Sequence, residues 1–138
     1  MKRTLINPGS VKVLYDNYHF SQATRVGDMI WVSGQVGIDA NMRPAKGLTE
    51  QARLAFTGLR NVLEAAGATL EDVVELVTFH IDLRGGAREF GAVKDEFFPS
   101  NYPSWSAVGV TQLAMPELLV EIRAVAVAGS AMKGAAND

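Results

Sequence analysis

Apolar residues recur along this chain at two spacings. From Thr49 onward, Ala52, Phe56, Leu59, Leu63 and Ala66 fall at alternating four- and three-residue steps, while Arg53, Arg60 and Glu64 take the other side. That period predicts an amphipathic helix with one buried face, with Thr49 as its N-cap and Gly67 as the residue that ends it. Thr69 to Asp72 reads as a capping box opening a short helical turn. A second helix is predicted over Ala87–Phe98, with Phe90, Val93 and Phe97 on one side and Arg88, Glu89, Asp95 and Glu96 elsewhere. Gly85-Gly86 breaks the chain before it and Pro99 closes it.

The other spacing is that of strands. Val11–Tyr15 and Met29–Ser33 are predicted strands, and the turn Val26-Gly27-Asp28 between Thr24 and Met29 suggests a hairpin. Val73–Asp82 is apolar on both faces, as an inner strand would be. Ser106–Thr111 and Leu118–Ala128 complete the set, and Gly34–Gly47 reads as a loop. The order of elements describes an α+β domain, a mixed sheet with two helices on one face. The opposite face carries Val125 and Val127 and would stay open in a monomer, so self-association is the economical way to cover it.

Composition narrows this picture. A chain of 138 residues, 48% hydrophobic, suits one domain, here 1–128, followed by an Ala/Gly/Ser/Asn tail over 129–138 expected to fray. The formal charge of −2 and the lack of a basic stripe argue against nucleic-acid binding. With no cysteine, disulfides and thiolate chemistry are excluded, and two histidines, His19 and His80, cannot fill a zinc shell. Neither a metal nor a cofactor is expected: no phosphate-binding glycine loop, dinucleotide fingerprint or His-Glu-x-x-His is present. The first eight residues have no signal-peptide apolar run. The longest uncharged stretch, Phe97–Pro116, is broken by Pro99, Pro103 and Pro116. A soluble, cytoplasmic protein without membrane contact is the expectation.

Candidate chemistry is sparse. Glu121 and Arg123 sit in an otherwise apolar strand, where they share a face about 6.5–7 Å apart. A charged pair in such a place needs a cleft or a partner. It suits a strand-end or subunit-interface ion pair, or a cleft in which the carboxylate holds a water as general base. His80 suits a satisfied core histidine as well as an acid/base group, and His19, between Tyr18 and Phe20, an aromatic loop contact. Trp105, in the cluster Tyr102-Pro103-Ser104-Trp105-Ser106, is either core or the wall of a pocket.

Phe20-Ser21-Gln22-Ala23, Val32-Ser33-Gly34-Gln35, Leu63-Glu64-Ala65-Ala66-Gly67, Asp72-Val73-Val74, Asp82-Leu83 and Val120 to Val127 occur in order over most of the chain. In these motifs the chain resembles the Rid (YjgF-type) family of enamine/imine deaminases. The resemblance implies a chorismate-mutase-like fold with a six-stranded mixed sheet, a homotrimer around a central β-barrel, and small-molecule clefts between subunits. It implies that Glu121 positions the attacking water, that Ser33 and Gly34 form the family's Ser-Gly turn, and that Gly34 and Ala107 offer backbone hydrogen-bond groups. The family's Pro-x-Arg-x-Ala motif reads Pro103-Ser104-Trp105-Ser106-Ala107, so Trp105 stands where a substrate-binding arginine is expected. Phe20 replaces the family's tyrosine, and Lys94 stands at a position where asparagine is common.

Losing the arginine removes charge-assisted hydrogen bonds of roughly 1.5–3 kcal/mol each. The pocket, walled by Trp105 and shaped by Phe20 and Ser33, then favours apolar, aromatic or neutral ligands unless Arg123 or Lys94 supplies charge from another direction. Hydrolysis of an imine or enamine with altered substrate preference is the leading expectation. A non-catalytic trimeric module that binds a small ligand or a protein is the alternative. Ribonuclease-like roles, sometimes attached to this family, gain little support from the charge.

Overall fold

The computed structural model describes residues 1–132. Its sheet has six strands in the order β1-β2-β3-β6-β4-β5: β1 (Arg3–Ile6), β2 (Ala23–Val26), β3 (Met29–Val36), β4 (Val73–His80), β5 (Ser104–Gly109) and β6 (Val120–Val127). All pairs are antiparallel except β4 with β5. Three helices join them: α1 (Lys12–Tyr18), α2 (Leu48–Ala65) and α3 (Leu83–Phe97). This is the expected mixed α+β sheet. The predicted pair of helices, α2 and α3, packs on one face, and the small α1 is an addition.

Alternation along the strands sorts the two faces. Ile30, Val32, Leu76, Val120, Ile122, Ala124 and Ala126 are buried beneath the helices. They meet Ala52, Ala55, Phe56, Leu59 and Leu63 of α2 and Phe90 and Val93 of α3, all buried. Phe56 is the hub, with ring centroids 5.6 Å from Phe90, 5.2 Å from Phe97 and 5.9 Å from Phe98. The periodicity of α2 thus reads true at every residue named for it. Its end does too: Gly67, at φ 87°, donates to the Glu64 carbonyl while Ala68 donates to that of Leu63, the paired bonds of a Schellman motif. Thr69–Asp72 forms the expected capping turn, the Asp72 carboxylate accepting from the Thr69 N–H at 3.0 Å.

Several expectations need correction. Val11–Tyr15 is helical, a turn over Gly9–Val11 running into α1. Its apolar residues fit both periods over so short a run, and Lys12 pairs with Asp16 one turn on, as a helix allows. The strand that does precede the hairpin is β1, an exposed edge whose alternation is too short to read. Gly47, not Thr49, caps α2, and the Thr49 hydroxyl donates to Glu89 at 2.7 Å. Gly85-Gly86 does not break the chain but opens α3, where Asp82 caps the helix by accepting from the Gly85 N–H at 3.1 Å. Strand β5 starts at Ser104, two residues before its predicted start, and β3 runs on to Val36. Of the tail, Ala131 donates to the Asp72 carboxylate at 3.0 Å; residues 133–138 lie outside the described part.

Candidate functional site

The hairpin strand β3 carries an irregularity that shapes the open face. Val32 pairs with Ala124 and Gln35 with Ile122, so Ser33 and Gly34 together oppose Arg123, a β-bulge. Polar groups hold it in place. The Ser33 hydroxyl donates to the Ser21 carbonyl at 2.6 Å, and the Ser33 N–H to the Gln22 carbonyl at 2.8 Å. Buried Gln35 donates to the side chain of buried Gln22 at 2.9 Å and to the Ser33 carbonyl at 3.2 Å. Asn7 accepts from the Gln22 N–H at 3.1 Å, which ties the segment following Phe20 to the start of the chain. Ser33 therefore supports the bulge, and Phe20, 39% exposed at the surface, directly precedes the Ser21 that Ser33 bonds.

Glu121 uses the space this bulge creates. It faces away from the helices, opposite Val36 on one side and Phe79 on the other. Its carboxylate lies over Gly34, where any Cβ would collide with it. Partial burial without an ion pair among the described residues pushes its carboxyl above the ordinary glutamate range. Arg123 shares the face but is exposed and does not pair with it. A half-buried carboxylate of raised basicity, next to a backbone brought close by glycine, is equipped to hold a water and take its proton.

Trp105 lies elsewhere. It pairs in register with Leu76 on the helix-covered side, whereas Glu121 shares the row of Phe79 and Val108 on the open side. Within one subunit the two side chains therefore emerge on opposite faces, with two strand spacings, roughly 10 Å, between their strands. The indole N–H donates to Thr78 Oγ1 at 2.9 Å, and that hydroxyl is 2.7 Å from His80 Nε2. The Thr78 hydroxyl thus links the Trp105 indole to the His80 imidazole. Burial pushes the His80 pKa down. His80, 2% exposed and edge-to-face with Phe90 at 4.7 Å, fits the core-histidine alternative and borders a cleft of about 230 Å³ with Leu48, Asp82 and Glu89.

Lys94 joins Trp105, its Nζ 4.5 Å from the centre of that ring and 5.8 Å from that of Tyr102. Ala107 is half-buried on β5, opposite Thr78. His19 is exposed in a left-handed conformation, ending α1 by donating its N–H to the Tyr15 carbonyl at 3.1 Å. A larger groove of about 910 Å³, lined by Arg60, Glu64, Tyr102 and Pro103 among others, holds none of the predicted site residues. Among the described residues no three His, Asp or Glu side chains are grouped to hold a metal, and no helix is long and apolar enough to cross a membrane. Thr78, Gln22 and Gln35 were missed as site-shaping residues. For Thr78 and Gln35 the signal is a polar side chain on the core side of a strand, visible once the faces are assigned; Gln22 lies just before β2.

The sequence and the fold agree with known proteins. The chain belongs to the Rid (YjgF) family, whose model, described as Endoribonuclease L-PSP, matches residues 13–128. It is 40% identical to the RutC family protein YjgH of Escherichia coli over 83% of this chain and 88% of that protein. It is 35% identical to a 2-iminobutanoate/2-iminopropanoate deaminase of Dermatophagoides farinae over 78% of this chain and 84% of that one. Among solved structures, protein YjgH superposes with a TM-score of 0.85 at 38% identity, covering 93% of this chain and 98% of that one. A Mycobacterium tuberculosis member of the YjgF/YER057c/UK114 family does so at 0.78 and 34%, covering 91% and 99%.

Proposed function

We propose that this chain is a cytoplasmic, cofactor-free hydrolase of imines or enamines, working as a homotrimer with a ligand cleft between subunits. The observation that carries the reading is Glu121, an unpaired, half-buried carboxylate over the glycine of a β-bulge. In this reading Glu121 orients a water and takes its proton as the oxygen attacks the C=N carbon. Glu121 passes that proton to the nitrogen, the C–N bond of the carbinolamine breaks as the hydroxyl becomes a carbonyl, and the products are a carbonyl compound and ammonia, one water consumed for each ammonia released. The deaminase relatives support this chemistry.

Trp105 alters the preference. A flat apolar ring in place of a guanidinium weakens the grip on the smallest imino acids and favours those with a larger apolar body. Little ammonia release above buffer is expected from 2-aminoacrylate or 2-iminopropanoate generated in situ. Rapid, Glu121-dependent hydrolysis of either would overturn the altered preference. Glu121→Gln should keep assembly and ligand binding while slowing turnover at least ~10²-fold.

The opposite faces taken by Trp105 and Glu121 favour a second reading, a trimeric ligand-binding module without turnover. A ligand found by thermal shift but left unchanged by the trimer would select it.

A further inference from the structure

His80 has one ring nitrogen that the core does not use. Nε2 is 2.7 Å from Thr78 Oγ1, whereas Nδ1 has no partner among the described residues. No buried side-chain nitrogen or oxygen there lacks one, so Nδ1 is not sealed in, although the residue is only 2% exposed. Its opening is the cleft of about 230 Å³ that His80 lines with Leu48, Asp82, Gly86, Glu89 and Leu119. This cleft lies past the end of β4, between the first turns of α2 and α3, where the Thr49 N–H and hydroxyl of one helix donate to Glu89 of the other. Glu121 pairs in register with Phe79 and faces the opposite side of the sheet.

Two carboxylates line the same space. Each spends one oxygen on a helix start, Glu89 Oε2 on both Thr49 groups and Asp82 Oδ1 on the Gly85 N–H. Among the described residues the other oxygens have no hydrogen-bond partner, and neither residue joins an ion pair; Arg84 and Arg88, nearby on α3, are exposed. Capping accounts for the bonded oxygens but not for the open imidazole or for the bare turn at Gly85-Gly86. A Cβ on Gly86 would meet Leu48 Cδ2 at 2.7 Å, so glycine there lets the two helix starts approach. No three His, Asp or Glu side chains are grouped to hold a metal among the described residues. Separated acceptors suit instead an ammonium, whose N–H groups point apart, while Leu48 and Leu119 suit a short carbon chain. Since a water occupies about 30 Å³ of liquid, the cleft has room for a ligand of a few heavy atoms.

We propose that this cleft is a second ligand site, separate from Glu121, which takes the ammonium of a small primary amine on Glu89, Asp82 and His80 Nδ1, with the carbon chain against the two leucines. Nδ1 accepts in the tautomer whose proton sits on Nε2 and goes to Thr78 Oγ1. That oxygen then receives two bonds, from His80 and from Trp105, one for each lone pair. Burial, which disfavours a second proton on the ring, keeps the Nδ1 lone pair free for the amine. Through the shared oxygen an occupant of the cleft also perturbs the Trp105 indole N–H.

The test titrates propylammonium chloride, propan-1-ol and tetramethylammonium chloride into the assembled protein and follows the side-chain nitrogen resonances of its histidines and tryptophans. Propylammonium should saturate at millimolar concentration, shifting His80 and Trp105 while His19 and Trp31 stay in place. The alcohol has nearly the same body without the charge, and tetramethylammonium has the charge without an N–H. Each should bind at least about tenfold more weakly, the scale of one charge-assisted hydrogen bond. Glu89→Gln, which still accepts from Thr49, should weaken propylammonium by about the same factor. Should that variant not fold, the comparison of the three probes on the parent decides the point. No saturable shift at His80, equal binding of either control, or a glutamine variant of unchanged affinity overturns the proposal. Glu121→Gln should bind the amine as the parent does, so a failure of hydrolysis counts against the catalytic reading alone; loss of the His80 shift in that variant would place the amine elsewhere and overturn this one.

Discussion

Glu121, the proposed general base, couples stability to pH. Its folded carboxyl holds a proton more tightly than the unfolded chain's, whose ordinary value is 4.5. Stability therefore falls as pH rises from that value through the folded one, and stays lower above it. Glu121→Gln should unfold at a higher temperature than the parent near neutral pH, with the gap closing on acidification; an equal gap at all pH values would show that the carboxylate is not desolvated. Gly34→Ala tests the same contact from the other side. The methyl group displaces the end of a flexible side chain, so the fold should survive while turnover drops about tenfold, the cost of a misplaced general base. Thr78 is a different case. Thr78→Val leaves the Trp105 N–H and His80 Nε2 without partners and should cost about 1–3 kcal/mol for each, read by urea unfolding. Glu121 was legible as a charge in an apolar strand. Its glycine partner was legible only through family motifs, because two strands must be in register before a bulge can set one residue over another.

At the scale of elements, long apolar periods were readable and short ones were not. Helix α2 reads correctly because seven buried positions recur along 18 residues, whereas α1 has 7 residues and none buried to set its period. The sequence also hides what Gln51 does. On the buried face of α2, its amide donates to the carbonyls of Ala45 and Glu117 at 2.9 Å each, and its oxygen accepts from the Leu119 N–H at 2.8 Å. One side chain thus fastens the loop after β3 and the loop before β6 to the same helix. Gly37 permits the approach, since any Cβ there would meet the Gln51 backbone. Gln51→Leu should cost at least about 2 kcal/mol by stranding three backbone groups, and amide exchange should quicken first in those two loops.

The whole molecule has one finished face and one bare one. Opposite the helices, Leu5, Met29 and Trp31 are 48%, 37% and 45% exposed, beside half-buried Val77, Phe79, Val125 and Val127. Such a patch is large for a monomer. Three chains of 14.9 kDa closing it predict a particle of about 45 kDa in sedimentation equilibrium. Trp31→Asp should release folded monomers of normal helix content, and a parent that sediments as a monomer would remove the cleft between subunits altogether.

The place of β6 has a consequence for the order of events during synthesis. It is the last strand in the chain, yet it lies between β3 and β4, and its pairs include Met29 with Val127. Until it emerges from the ribosome, the β1-β2-β3 sheet and the β4-β5 pair have no strand to join them. Each half then exposes an unsatisfied edge and the apolar side of its helix. A nascent chain arrested before residue 120 should accordingly be digested by protease at the rate of an unfolded chain, and one released a few residues beyond 127 should resist. Folding of both halves is thus held back until β6 has emerged.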